Sequence, residues 1–283
     1  MNRYTEIFRP RMALVFDFDK TLGPDTFSAV LEHLDLDPEK VHKEELEPLQ
    51  DEGWEFTLAR GYYYTRLASE GKLNRSTLEE VGKSLKPYPG VKELFGRIRE
   101  IVKQANDKVS VEFYLLTAGF ATVPQATSIA GEFDKIFSGA LSFDQEGRPI
   151  FVKRIVTHPE KVRYLYQIAK GFDERRANPE DAFADIPDED WHLPLDQMIY
   201  LGDGVSDIPA FRALTEAGGI ALAVHSKKKD KEWEAGSDLA TQPKVENIAR
   251  NDYREESELY RSLVYAVRSI VNLISLREMA QGE

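Results

Sequence analysis

Short apolar runs that stop abruptly at polar turns recur along this chain, and stretches of helical period separate them. Residues 13–16 form the first run, the pattern of a buried strand bounded by polar residues and Gly23. Residues 111–116 repeat it, as does the run opening Met198-Ile199-Tyr200-Leu201. Residues 25–86 carry apolar positions at helical spacing, as in TFSAVLEHL and WEFTLARGYYYTRLASE, punctuated by Pro38 and Gly53. Lys86-Pro87-Tyr88-Pro89-Gly90 closes that stretch with a strong breaker signal. Residues 91–104 predict an amphipathic helix, and Gly147-Arg148-Pro149 within 142–156 predicts a hairpin or loop. In THPEKVRYLYQIAKG, Thr157 stands as N-cap, Pro159 comes early, Glu160 takes the capping-box place and Gly171 ends the helix. Lys161 then falls in the first helical turn.

Two further stretches shape the outline. Residues 172–197 are acidic, Pro-containing and poorly periodic, and read as a solvated excursion. In the tail, Leu259, Leu263, Val267, Ile270 and Ile274 recur at helical spacing, widened by Tyr260, Val264 and Val271. That stripe predicts packing on the core, with a dimer contact as the second reading. Arg261, Arg268 and Asn272 interrupt it too often for a membrane span.

The chemistry gathers where the apolar runs stop. Asp17 and Asp19 follow the first run at a spacing of two, which alternation puts on one side of the strand at its C-terminal end. Open α/β sheets bind their ligands at that end. Carboxylates so close repel unless a cation lies between them or they share a proton. The third run ends in Gly202-Asp203-Gly204-Val205-Ser206-Asp207, with glycines that permit a tight turn and close backbone approach to a ligand. The second ends in Thr117-Ala118-Gly119, a hydroxyl and small residues suited to donating hydrogen bonds to an anion. Any one of these endings alone is equally well an ordinary solvated turn. Together they offer carboxylates for a hard cation and donors for an oxyanion.

At these residues the chain resembles the haloacid dehalogenase-like phosphohydrolase superfamily. That family's order is DxDxT, an apolar run ending in Thr or Ser, a Lys, then GDGxxD. Here it reads Asp17-Phe18-Asp19-Lys20-Thr21, Thr117, a Lys, and Gly202 to Asp207. The first and last motifs match fully; the Thr117 motif is short and rests on its place in the order. The family places its Lys at a helix start ahead of the last motif, which implies Lys161, with Lys153 as runner-up on an expected strand.

Composition narrows the field. The chain has 283 residues and 42% hydrophobic content, enough for one large domain or a core plus a small second domain. There is no Cys, so disulfides and thiolate metal sites are excluded. Five His residues without close ligand spacing argue against a His-rich zinc site. A net charge of −12 disfavours nucleic-acid and anionic-membrane binding. No apolar signal region opens the sequence and no run approaches the roughly 18 apolar residues of a span, so a cytoplasmic location is expected.

The resemblance implies an α/β fold: a Rossmann-like parallel-sheet core, residues 1–24 and 87–283 with the C-terminal helix, and a helical cap inserted at 25–86. It implies an Mg²⁺-dependent phosphatase for a small phosphorylated metabolite. Asp17 is the expected nucleophile and Asp19 the acid/base. Asp17, Asp203, Asp207 and the Asp19 backbone carbonyl are expected around the metal, with Asp207 positioning Lys161 or a metal-bound water. Thr117, Ala118, Gly119 and Lys161 are expected on the phosphate, with Thr21 and Gly204 supporting loop geometry. Within the cap, Trp54, Arg60, Tyr62, Tyr63, Tyr64 and Arg66 read mainly as helix packing with solvated Arg ends, one or two of them facing substrate. A phosphomutase and a non-catalytic phospholigand-binding protein remain as alternatives. The expected partner is a small phosphorylated substrate, with a homodimer through the C-terminal helix only as the second reading of that helix, and with neither nucleic acid nor membrane.

Overall fold

A computed structural model describes residues 8–171, 179–226 and 245–281. Its centre is a seven-stranded sheet in the order β4-β3-β2-β1-β5-β6-β7. The strands are β1 (Arg11–Phe16), β2 (Ser110–Phe120), β3 (Lys135–Phe143), β4 (Pro149–Arg154), β5 (Met198–Gly202), β6 (Ile220–His225) and β7 (Asn247–Arg250). All pairings are parallel except the β3–β4 hairpin. The chain leaves β1 toward β2 on one side and returns to β5 on the other. The β1/β5 boundary is therefore the switch point at which such sheets bind ligands.

Strand alternation sorts the core into two layers. Met12, Leu14 and Phe16 face one layer, with Phe95 and Ile98 of α6 (Val91–Ala105) and Leu263 and Val267 of the C-terminal helix α10 (Glu258–Gln281). Ala13 and Val15 face the other, with Tyr164 and Leu165 of α8 (Glu160–Lys170) and Phe211 and Leu214 of α9 (Ile208–Glu216). A sheet covered on both faces explains why its central strands read as unbroken apolar runs. The stripe of α10 faces the core as its spacing predicts: Leu259, Leu263, Val267, Ile270, Val271 and Ile274 are all buried. Leu263→Ala is expected to cost about 2–5 kcal/mol, measured by urea denaturation. A loss under about 1 kcal/mol would mean the groove under α10 collapses to fill the gap.

Between β1 and α6 run α1 (Thr26–His33), α2 (Pro38–Val41), α3 (Glu47–Asp51), α4 (Phe56–Ser69) and α5 (Arg75–Ser84). A wide helical turn, His42–Leu46, joins α2 to α3, and a short α7 (Thr122–Ala126) follows β2. Caps start these helices: Asp25 accepts from the Ser28 N–H, Glu55 from Thr57 and Leu58, and Asn74 from Thr77. At Gly61 of α4 an added Cβ would lie 2.2 Å from the Val152 side chain, so only glycine lets α4 approach β4 this closely.

Three expectations need correction. β2 does not end before Thr117; it runs to Phe120 through a shift of register after Leu116. Helix α8 starts at Glu160 with Pro159 in the cap position, not at a Thr157 cap. Only half of the box survives there, the Glu160 carboxylate accepting the Thr157 N–H at 3.5 Å. Finally, the acidic insert is not simply solvated. Residues 172–178 lie outside the described residues, but Trp191, Leu193, Leu195, Asp196 and Gln197 are buried. Arg277 of α10 pairs with Asp196 at 2.5 Å, and the Gln197 amide donates to the Arg9 and Arg11 carbonyls.

Candidate functional site

Register places the three run endings side by side. Phe16 pairs with Leu115 on one side and Leu201 on the other, so Asp17 emerges between Thr117 and the Gly202–Asp203 turn. The Asp17 N–H donates to the Leu201 carbonyl at 2.8 Å, which fixes the backbone there. Beyond it the chain turns tightly over 18–23. Lys20 takes a left-handed φ of 60°, its N–H donates to the Gly23 carbonyl at 2.7 Å, and Leu22 and Gly23 donate to the Phe18 carbonyl.

The two carboxylates of the first motif do different things. Asp17 is buried and its Oδ1 accepts from Lys161 Nζ at 3.0 Å. Thr21 Oγ1 lies 3.5 Å from Asp17 Oδ2. Asp19, half-buried, is held by Thr26 at the start of α1: the backbone N–H donates to Oδ1 at 2.7 Å and the hydroxyl to Oδ2 at 3.3 Å. Burial, then the neighbouring Asp25, pushes the Asp19 carboxyl up to about 7, against the pull of Arg60 and the Thr26 bonds. Asp25 itself is paired with Arg60 of α4 at 3.3 Å.

Lys161, the second residue of α8, is completely buried between two carboxylates. Besides Asp17 it bonds Asp207 Oδ1 at 2.5 Å. Burial works against its charge, but Asp17 and Asp207 outweigh burial and hold the ammonium above its usual range. Lys153 lies exposed on β4. Asp17 is pushed up by burial, relieved by Lys161, and pushed further by Asp207, Asp203 and Asp19. Such a crowd of buried acids is the field that a cation would reverse.

Asp17, Asp203 and Asp207 can each bring a carboxylate oxygen within 4.8 Å of the others. Hard oxygen donors in that number suit Mg²⁺. The Asp19 carboxylate is outside this cluster, turned to Thr26. Gly202 serves this geometry in an unexpected way. A Cβ there would lie 2.4 Å from the Asp207 carboxylate, so the close approach it permits is to a side chain of the same motif. Gly204 donates its N–H to Asp207 Oδ2 at 3.4 Å.

On the other side of Asp17, Thr117 is buried, and its Oγ1 accepts the Gly119 N–H at 3.1 Å. That N–H is therefore engaged rather than waiting for an anion. Ala118 and Gly119 line a pocket closed from above by Thr26, Phe27, Phe56, Arg60 and Tyr64. The cavity holds about 20 Å³, room for a water rather than a metabolite. Of the aromatic and basic cluster in 54–66, Arg60 and Tyr64 reach this pocket. Tyr63 is buried, Arg66 pairs with Glu45, and Trp54 and Tyr62 pack against each other at a tilt on the surface. Sequence reading missed Thr26 and Tyr200, whose hydroxyl donates to Asp207 Oδ1 at 2.7 Å. The Gly23-Pro24-Asp25 turn before Thr26 and the apolar run around Tyr200 gave no sign of either contact.

No protein-family model matches the sequence. An uncharacterized protein of Borreliella burgdorferi is 24% identical over 285 residues, covering 88% of this chain and 94% of its own. Among solved structures, a phospho-aspartyl intermediate analogue of phosphoserine phosphatase aligns with 91% of this chain and 99% of its own, at 18% identity and a TM-score of 0.54. A probable phosphoserine phosphatase from Vibrio cholerae aligns with 98% of this chain and 69% of its own, at 14% identity and 0.55. A HAD family hydrolase from Salmonella enterica serovar Typhi gives 14% identity and 0.53, covering 80% of this chain and 66% of its own. The chain has the haloacid dehalogenase-like fold. Among the described residues no helix is long and apolar enough to cross a membrane.

Proposed function

We propose that this chain is a phosphohydrolase that cleaves a small phosphate monoester through an aspartyl-phosphate on Asp17. The observation that carries the reading is the buried chain Asp17–Lys161–Asp207 at the sheet's switch point, with the differently held Asp19 beside it. In the first step an Asp17 oxygen bonds to phosphorus while the ester oxygen leaves, taking a proton from Asp19. In the second, Asp19 takes the proton from water as the water oxygen bonds to phosphorus, and the Asp17–phosphorus bond breaks to free phosphate. A carboxyl pushed up to about 7 suits a group that gives a proton and then accepts one near neutral pH. Lys161 and the Thr117 hydroxyl hold phosphoryl oxygens.

A divalent cation fits the cluster and would be held by Asp17, Asp203 and Asp207, where it would neutralise carboxylate charge facing the phosphate. Helices α1 to α5 act as the cap. Their Arg60 and Tyr64 line the pocket over Ala118 and Gly119, beside the phosphate-facing end of the site. A panel of phosphorylated metabolites tests the reading by phosphate release. Release is expected from at least one small monoester, to vanish with excess chelator and to return with Mg²⁺. Full activity in chelator would defeat the metal assignment, and no release from any ester would defeat the reading itself.

A further inference from the structure

Tyr200 sits in the middle of β5 with its side chain completely buried. Its ring lies edge-on to Phe211 at 5.5 Å, and its hydroxyl donates to Asp207 Oδ1 at 2.7 Å. The same oxygen accepts from Lys161, whose Nζ reaches Asp17 on its other side. The four side chains form one buried line, Tyr200–Asp207–Lys161–Asp17, in which the most exposed member, Asp17, is only 4% accessible.

The two carboxylates flanking Lys161 fare differently during turnover. Asp17 bonds to phosphorus and its charge passes to the phosphoryl group, so Lys161 must turn from Asp17 to a phosphoryl oxygen. Asp207 stays put and is the fixed pole from which the ammonium swings. Yet a carboxylate rotates easily about its last torsion unless something holds it, and Gly202, against which the carboxylate packs in the place a Cβ would take, offers it no side chain to hold it. Besides Lys161, the Asp207 carboxylate has two anchors, the long Gly204 bond at 3.4 Å and the short Tyr200 bond at 2.7 Å. The shorter comes from a rigid, packed ring.

We infer that Tyr200 is a positioning residue: its hydroxyl fixes Asp207 and so aims Lys161 at the phosphoryl group. This rests on the phosphohydrolase reading above. Tyr200→Phe keeps the ring and removes only the hydroxyl. In the unmodified background it is expected to lower kcat about tenfold with KM changed less than about twofold, as for a contact made mainly in the transition state. In a Lys161→Ala background the same substitution is expected to change kcat hardly at all, because partners acting through one another are not additive. Affinity for inorganic phosphate, measured by calorimetry on the same four proteins, should show the same pattern without turnover. An unchanged kcat in Tyr200→Phe overturns the inference. So does an equal fold-loss in both backgrounds, which would mark a merely structural hydroxyl. If the unmodified protein releases no phosphate from any ester, the phosphohydrolase reading has failed instead, and the phosphate-affinity cycle alone decides whether Tyr200 acts through Lys161.

Discussion

Asp17→Asn is expected to bring phosphate release below detection while leaving the fold intact. The amide matches the carboxylate in size and keeps an oxygen for Lys161, but it carries no charge with which to attack phosphorus. The fold should tolerate the change for an electrostatic reason. Burial and the neighbouring acids Asp207, Asp203 and Asp19 all work against ionised Asp17, and Lys161 is the charge that favours it. Removing that charge relieves the crowding, and Lys161 keeps Asp207 as its partner at 2.5 Å. Thermal denaturation should therefore show a midpoint equal to or above that of the unmodified protein. Near-normal phosphate release would sink the nucleophile assignment. A collapsed midpoint would mean that the ion pair is structural before it is chemical.

How much of this was legible in the sequence depends on the range of each contact. The central strands were legible because both faces are covered, so Ala13 to Phe16 are apolar without interruption and stop where the sheet stops. The adjacency of Asp17, Thr117 and Asp203 followed from motif order once a parallel sheet was assumed. The support around the site was not legible. Thr26 meets Asp19 only because the chain turns back over 18–23 and α1 starts where Asp25 caps it. Tyr200 lies in an apolar run, where a tyrosine reads as core, and its partner is set by a turn seven residues on. The insert misled for the opposite reason. Its anchors, Arg9 and Arg277, lie far away in sequence, so an aperiodic acidic stretch concealed buried Leu193 and Leu195. The Thr157 cap failed locally: Pro159, with φ −63°, already sits in helical backbone and takes the cap position itself.

The lysine carries the second large effect. Two buried carboxylates and an incoming phosphate put several negative charges in one small volume, and a cation at Asp17, Asp203 and Asp207 leaves the far phosphoryl oxygens unbalanced. Lys161 is the charge placed to reach them. The start of α8 fixes its backbone, where its N–H donates to the Thr157 and His158 carbonyls, and its Nζ already touches Asp17 at 3.0 Å. Lys153 belongs to the exposed side of an edge strand. Lys161→Ala is therefore expected to lower kcat about a hundredfold or more, the scale of losing one preorganised electrostatic contact in the transition state, while Lys153→Ala changes it less than about twofold, as for an exposed charge far from the reacting atoms. The Ala variant also strands Asp17 and Asp207 without their ammonium, so some stability should be lost with it. Lys161→Met separates the cavity from the charge: it fills the space but strands the same two carboxylates, so it should recover only the packing part of the lost stability and remain as slow as Lys161→Ala. A large loss in Lys153→Ala beside a small one in Lys161→Ala would move the cationic role to β4 and leave the buried lysine as an ion-pair strut beneath the nucleophile.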